Sequence, residues 1–254
     1  MIAAARLAAA IEVMGEIEAR RRPAADALKD WGLSHRFAGS KDRAAIADLV
    51  FDALRVRASS AWLMGAETPR AILLGALREN RGYTSEAVAA LCTGEGHAPA
   101  PLSAEERAHL DATELVGAPA AVAGNFPDWL EPSLSAVFGD DLVAETRALA
   151  IRPKLDLRVN TLKATREKAV AALAHLDAAP CLLSPVGLRL PLLPDGRLPT
   201  LAAEPAYAKG LVEVQDEGSQ IAALLTGAKQ GEQVLDLCAG GGGKSLALAA
   251  LMQN

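Results

Sequence analysis

The chain has 254 residues, 51% of them hydrophobic and 22% charged, with a formal net charge of −5. That length allows one large domain or two to three small ones, each able to bury a core. Its aliphatic richness excludes a disordered chain, the absence of an uninterrupted apolar run of about 18 residues excludes a membrane span, and the acidic balance excludes a protein that grips nucleic acid over its whole surface.

The first third reads as helices. Leu7, Ala10, Ile11 and Met14 recur at helical spacing, and Ile46, Leu49, Val50, Ala53 and Leu54 repeat the pattern. Arg6, Glu12 and Glu16 interrupt the apolar N-terminus, so it reads as the first helix of a cytoplasmic protein and not as a secretory signal. Pro69, a favoured first-turn residue, opens a helix carrying Ile72, Leu73 and Leu77. A fourth helix covers Ser85 to Leu91, and the Gly/Pro-rich stretch Thr93 to Ser103 is a loop. Ser103 and Glu106 form a capping box, and a helix follows Pro132 to about Ala150.

The pattern changes at Arg152-Pro153. Leu155, Leu157 and Val159 alternate with Asp156 and Arg158, the period-two mark of a strand with one buried face. Thr165 caps a helix through Ala169, Val170 and Leu173, Val186 to Leu190 alternates again, and Pro191, Pro194, Asp195-Gly196 and Pro199 mark turns. Val212 and Val214 flank Glu213 in a short strand, and Gln215 to Ser219 lead into a helix with Ile221, Leu224 and Leu225. Val234 to Leu237 then reads as a buried strand running into Cys238-Ala239-Gly240-Gly241-Gly242-Gly243-Lys244-Ser245, with a helix beyond. The expected organisation is multidomain: an all-α helical domain over 1–145, a small α+β unit over 146–200, and the start of an α/β doubly wound domain over 201–254.

The glycine run is the most informative feature. Glycine permits positive φ and leaves room for a ligand against the backbone, and a helix N-terminus presents unpaired amides to polar or negative groups. A P-loop ending at Gly243-Lys244-Ser245 requires glycine where Cys238 stands, and a dinucleotide fingerprint requires glycine at Ser245 or Leu246. Both fail. Asp236, Gly240 and Gly242 instead fit the looser series that follows the first strand of doubly wound S-adenosylmethionine enzymes. Three widely spaced cysteines and four scattered histidines form neither a disulfide framework nor a metal site. Arg152, Lys154, Arg158, Lys163, Arg166 and Lys168, opposed only by Asp156 and Glu167, form a basic stretch suited to phosphates.

Asp236 to Ser245 resembles the cofactor motif of the Sun/Fmu-type RNA cytosine-5 methyltransferases. Arg158-Val-Asn-Thr-Leu-Lys163 and Val214-Gln-Asp-Glu-Gly-Ser-Gln220 resemble two further signatures of that family, in the same order, and Phe126 to Leu130 is similar to the segment that precedes them. Phe37 to Arg43 and Leu49 to Arg55 resemble the NusB-like helical domain of the ribosomal-RNA members. The likeness runs over almost the whole chain. It implies a Rossmann-like third section with S-adenosyl-L-methionine against Cys238, Ala239, Gly240, Gly241, Gly242, Gly243 and Lys244. Asp216 would support that loop, and RNA, ribosomal RNA in particular, would meet Arg158, Asn160 and Lys163. It implies a cytoplasmic monomer with no membrane or metal partner. Gly241 stands where many relatives have proline. The family's two working cysteines lie beyond its cofactor motif, so no catalytic residue is expected before Asn254, Cys181 and Cys238 are expected to be non-catalytic, and these 254 residues alone are expected to be inactive and to hold the cofactor weakly. Two rival readings are a non-catalytic RNA- or protein-binding NusB-like module and a P-loop nucleotide hydrolase.

Overall fold

The computed structural model describes residues 1–112, 114–193 and 198–254. The turn expected at Pro194 and Asp195-Gly196 lies outside them. The chain divides into two compact units, Met1–Arg152 and Pro153–Asn254, where the sequence suggested three sections.

The first unit is helical among its described residues: α1 (Ala3–Arg20), α2 (Ala24–Ser34), α3 (Ser40–Arg55), α4 (Arg57–Met64), α5 (Pro69–Arg81), α6 (Ser85–Leu91), α7 (Ala104–Ala112), α8 (Ala120–Gly124), α9 (Glu131–Phe138) and α10 (Leu142–Ala150). Apolar stripes make its core: Leu7, Val13 and Met14 of α1, Ile46 and Val50 of α3, and Ile72, Leu73 and Leu74 of α5 are all buried in one cluster. Local chemistry sets the ends. Thr68 Oγ1 accepts from Ala71 N at 3.2 Å ahead of Pro69, and Gly82 closes α5 in the left-handed region. Ser103 Oγ accepts from Glu106 N at 3.0 Å while Glu106 accepts from Ser103 N at 2.9 Å, the reciprocal capping expected there. The segment after Pro132 is two helices, because Gly139, at φ 52°, breaks the run.

The second unit is built on β1 (Leu155–Val159), α11 (Arg166–Ala172), β2 (Ala179–Pro180), β3 (Gly187–Leu190), α12 (Pro205–Ala208), β4 (Val212–Val214), α13 (Glu217–Leu225) and α14 (Gly243–Met252). The sheet has the order β2-β3-β1-β4 and every pair is antiparallel. It is a split βαβ arrangement, with α11 joining two strands that flank β3. Thr165 caps α11 through Lys168 N at 3.3 Å. Leu157, Val159, Leu173, Leu188, Leu190 and Val212 form the core. The sheet takes its edge strand from beyond residue 200, so the expected boundary there falls inside one folded unit. Asp156 and Arg158 are also buried, because the opposite face of β1 is covered rather than solvated.

The expected strand at Val234–Leu237 does not form. Leu235 and Leu237 are 84% and 85% exposed, and no strand pairs with this segment among the described residues. A doubly wound strand is buried only when parallel neighbours and helices cover both its faces. The second unit is an antiparallel α+β assembly, with α13 and α14 packed through Ala223, Ala247 and Leu248.

Candidate functional site

The glycine loop lies at the start of α14. Gly240 and Gly242 sit at φ 55° and 80°, in the left-handed region that side chains disfavour. Gly242 N donates to Ala239 O at 2.8 Å, and Gly242 O accepts from Leu246 N at 2.8 Å. This tight turn aims the first amides of a ten-residue helix at the loop. Ser245 Oγ donates to Asp236 Oδ2 at 2.7 Å, tying the end of the extended segment to the first turn of the helix.

An open cleft of about 220 Å³ faces the loop, lined by Gln215, Asp216, Ser219, Asp236, Cys238, Ala239, Gly243 and Lys244. Four of the seven expected cofactor residues therefore line it. Gly240, Gly241 and Gly242 form the turn behind them. Gly241 is outside the left-handed region and has open space around it, so its difference from proline-bearing relatives costs no contact. Asp216 faces the loop across the cleft, but its carboxylate caps α13, accepting from Gly218 N at 2.9 Å and Ser219 N at 3.3 Å.

Behind the cleft, a polar network joins the sheet to the start of α13. Arg189 donates to both oxygens of Asp156 at 2.7 Å and to Glu217 at 3.2 Å. Glu217 accepts from Ser184 N at 2.9 Å and Leu183 N at 2.6 Å, and its own amide donates to Asp156 at 3.2 Å. Burial pushes the Asp156 carboxyl up, but Arg189 and the Glu217 amide outweigh it and hold the group below its ordinary value. The Ser184 and Leu183 amides do the same for Glu217. Asp156, Cys181 and Glu217 bring three potential ligand atoms within 4.8 Å of one another. The Arg189 guanidinium already pairs with both carboxylates, and burial pushes the Cys181 thiol up to about 11, so this cluster reads as an ion-pair network rather than a cation site.

The expected RNA contacts separate. Arg158 is 3% exposed, and its guanidinium donates to Gln215 Oε1 at 2.7 Å and to Glu213. Buried this way, with two of its donors taken by Gln215 and Glu213, it presents no open face to a phosphate. Asn160 is half-buried and braces the neighbouring loop, donating to Gly210 O at 3.2 Å and accepting from Leu162 N at 3.1 Å. Lys163 is exposed; it donates to Lys209 O at 3.0 Å and has no acidic partner among the described residues. Lys154 and Lys168 are also exposed. Sequence alternation signals the strand but not its second buried face, which encloses the Arg158 side chain.

Cys92 and Cys181 are buried and Cys238 is exposed on the loop. No helix among the described residues is long and apolar enough to cross a membrane.

Comparison with known proteins agrees with this anatomy. Residues 126–192, which contain β1, α11, β2 and β3, match the family described as "Methyltr_RsmF/B-like, ferredoxin-like domain". The probable ribosomal RNA small subunit methyltransferase B of Synechocystis sp. is 34% identical over 134 residues, covering 50% of this chain and 28% of that protein. The ribosomal RNA small subunit methyltransferase B of Pseudomonas syringae pv. tomato is 35% identical over 121 residues, covering 47% and 26%. The probable enzyme of that name from Bacillus subtilis is 31% identical over 137 residues, covering 53% and 29%. The matched stretch thus spans little more than a quarter of these relatives. The crystal structure of PH0851 superposes on the whole chain and on 62% of its own length, with a TM-score of 0.60 at 20% identity, a likeness of fold. Residues 126–192 thus match the RsmF/B-like ferredoxin-like domain, and about half of the chain is similar to ribosomal RNA small subunit methyltransferases B.

Proposed function

We propose that the chain is the RNA-facing part and cofactor loop of an S-adenosylmethionine-dependent ribosomal RNA cytosine-5 methyltransferase. The observation that carries this reading is the cleft at the start of α14, where a left-handed glycine turn, Lys244 and free helix amides face two carboxylates, Asp216 and Asp236. Those opposite charges suit the ammonium and carboxylate of the cofactor's methionine end. The relatives' names supply the RNA half of the proposal, and the exposed lysines Lys154, Lys163 and Lys168 are its contacts.

Attack on a pyrimidine C6 by a thiolate makes C5 nucleophilic toward the methyl group. None of the three cysteines suits that task. Cys92 and Cys181 are buried with their thiols pushed up by burial, and Cys238 belongs to the cofactor loop itself. These 254 residues therefore bind and position but do not catalyse, and an open cleft lined by two short segments holds the cofactor loosely.

Ultraviolet crosslinking with radiolabelled S-adenosylmethionine tests the reading without requiring tight binding. Label should map to the peptide containing Cys238 to Lys244 and be competed by S-adenosylhomocysteine. Label competed by ATP instead would favour the nucleotide-hydrolase alternative. RNA binding without any label would favour the non-catalytic module.

A further inference from the structure

Arg158 lies outside the glycine cleft and out of reach of solvent, yet it fixes the chemistry of one cleft wall. Gln215 is 8% exposed and lines the cleft. Its backbone is pinned on both sides: its amide donates to Asp156 O at 3.1 Å, and its carbonyl accepts from Gln220 Nε2 at 2.8 Å. Its side-chain oxygen accepts a hydrogen bond from Arg158 Nε at 2.7 Å. A guanidinium is a donor only, so the carboxamide atom facing Arg158 must be the oxygen. The NH2 group is consequently turned the other way, where a Cβ placed on Gly243 would stand 3.5 Å from Nε2. Among the described residues that NH2 has no acceptor, although the residue is more than nine-tenths buried.

We propose that Arg158 is a positioning residue that presents the Gln215 NH2 group to the carboxylate of an amino-acid ligand at the start of α14. This rests on the cofactor reading above and assigns one subsite within it. The unpartnered donor, on a mostly buried side chain that opens to the cleft, adds to the helix amides and Lys244 on the wall that receives the negative end, while Asp216 and Asp236 receive the positive one. Arg158 thereby links β1 to the cleft through a single fixed hydrogen bond, and its charge is balanced on the far side by Glu213.

The test compares two ligands that share the nucleoside and the thioether. S-adenosylhomocysteine carries the amino-acid end and 5′-methylthioadenosine lacks it. In the 15N-labelled chain, the Gln215 side-chain NH2 resonances should move with the first and not with the second. Arg158→Lys keeps the charge but loses the planar fork, and should weaken S-adenosylhomocysteine about tenfold while leaving methylthioadenosine unchanged. Gln215→Met, with Arg158 in place, should show the same ligand-selective loss and covers the case in which Arg158→Lys fails to fold. Equal losses for both ligands, or S-adenosylhomocysteine binding with the Gln215 NH2 unmoved, would overturn the subsite alone. A wild-type chain that binds neither ligand would overturn the cofactor reading and the subsite together.

Discussion

Arg158 and Lys163 stand five positions apart in one signature and do opposite work. Arg158 is sealed between Gln215 and Glu213, and Lys163 is open to solvent. Lys163→Glu should therefore weaken RNA binding across sequences and flatten its dependence on salt, measured as the slope of affinity against ionic strength. Arg158→Glu should instead lower the melting temperature of the second unit, because it leaves a buried carboxylate beside Glu213, a loss of about 3 kcal/mol. A salt slope unchanged in Lys163→Glu would remove this surface from the account. The neighbouring ion pair gives a pH dependence of definite sign. Asp156 and Glu217 are held below their ordinary values. Their contribution is thus fully present above the ordinary carboxylate range and is lost as pH falls through the lowered values. Acid titration followed by circular dichroism should show the second unit unfolding below the ordinary carboxylate range, and Arg189→Met, which leaves Asp156 only the Glu217 amide, should move that onset to higher pH. An onset unmoved in Arg189→Met would show that the pair contributes nothing.

Among the elements, those specified by local chemistry were legible and those specified by distant pairing were not. Pro69, Ser103 with Glu106, and Thr165 each announce a helix start that the structure contains, because first-turn residues and caps act on amides only a few residues away. The alternation at Leu155 to Val159 likewise announces β1. Nothing local tells that Val212–Val214 pairs with β1 across more than 50 residues, nor that the two-residue strand Ala179–Pro180 closes the sheet beside β3. Val234–Leu237 shows the converse: an apolar run has strand propensity, but burial depends on neighbours that its composition does not reveal. For the candidate site, the glycine turn and Lys244 were legible from spacing, whereas Gln215 as a cleft wall was not, since its place depends on Arg158 in another element. Close helix packing in the first unit gives a further test. A Cβ on Gly75 of α5 would lie 2.7 Å from the Ser60 carbonyl oxygen of α4, against backbone that cannot rotate away. Gly75→Ala should destabilise the first unit by about 2 kcal/mol in denaturant titration, despite alanine's better helix propensity. Unchanged stability would mean that α4 and α5 are not in this close contact.

At the scale of the whole molecule, two units with separate cores divide the labour. Residues 1–152 bury Leu7, Met14, Ile46, Ile72 and Leu74 against one another, so that piece alone should unfold in one cooperative thermal transition. A gradual, non-cooperative melt would contradict that independence. The second unit places exposed lysines near the start of α11 and a charged cleft at the start of α14 within a single fold, and the central claim is that this cleft receives the methionine end of the methyl donor. The most direct measurement is a titration of the 15N-labelled chain with S-adenosylhomocysteine, read by backbone amide shifts and run in parallel with ATP. Millimolar binding is expected, with shifts confined to the Gly240–Ser245 turn and the facing Gln215–Ser219 segment, and none with ATP. Shifts elsewhere, shifts with ATP alone, or an unchanged spectrum at millimolar S-adenosylhomocysteine would contradict it.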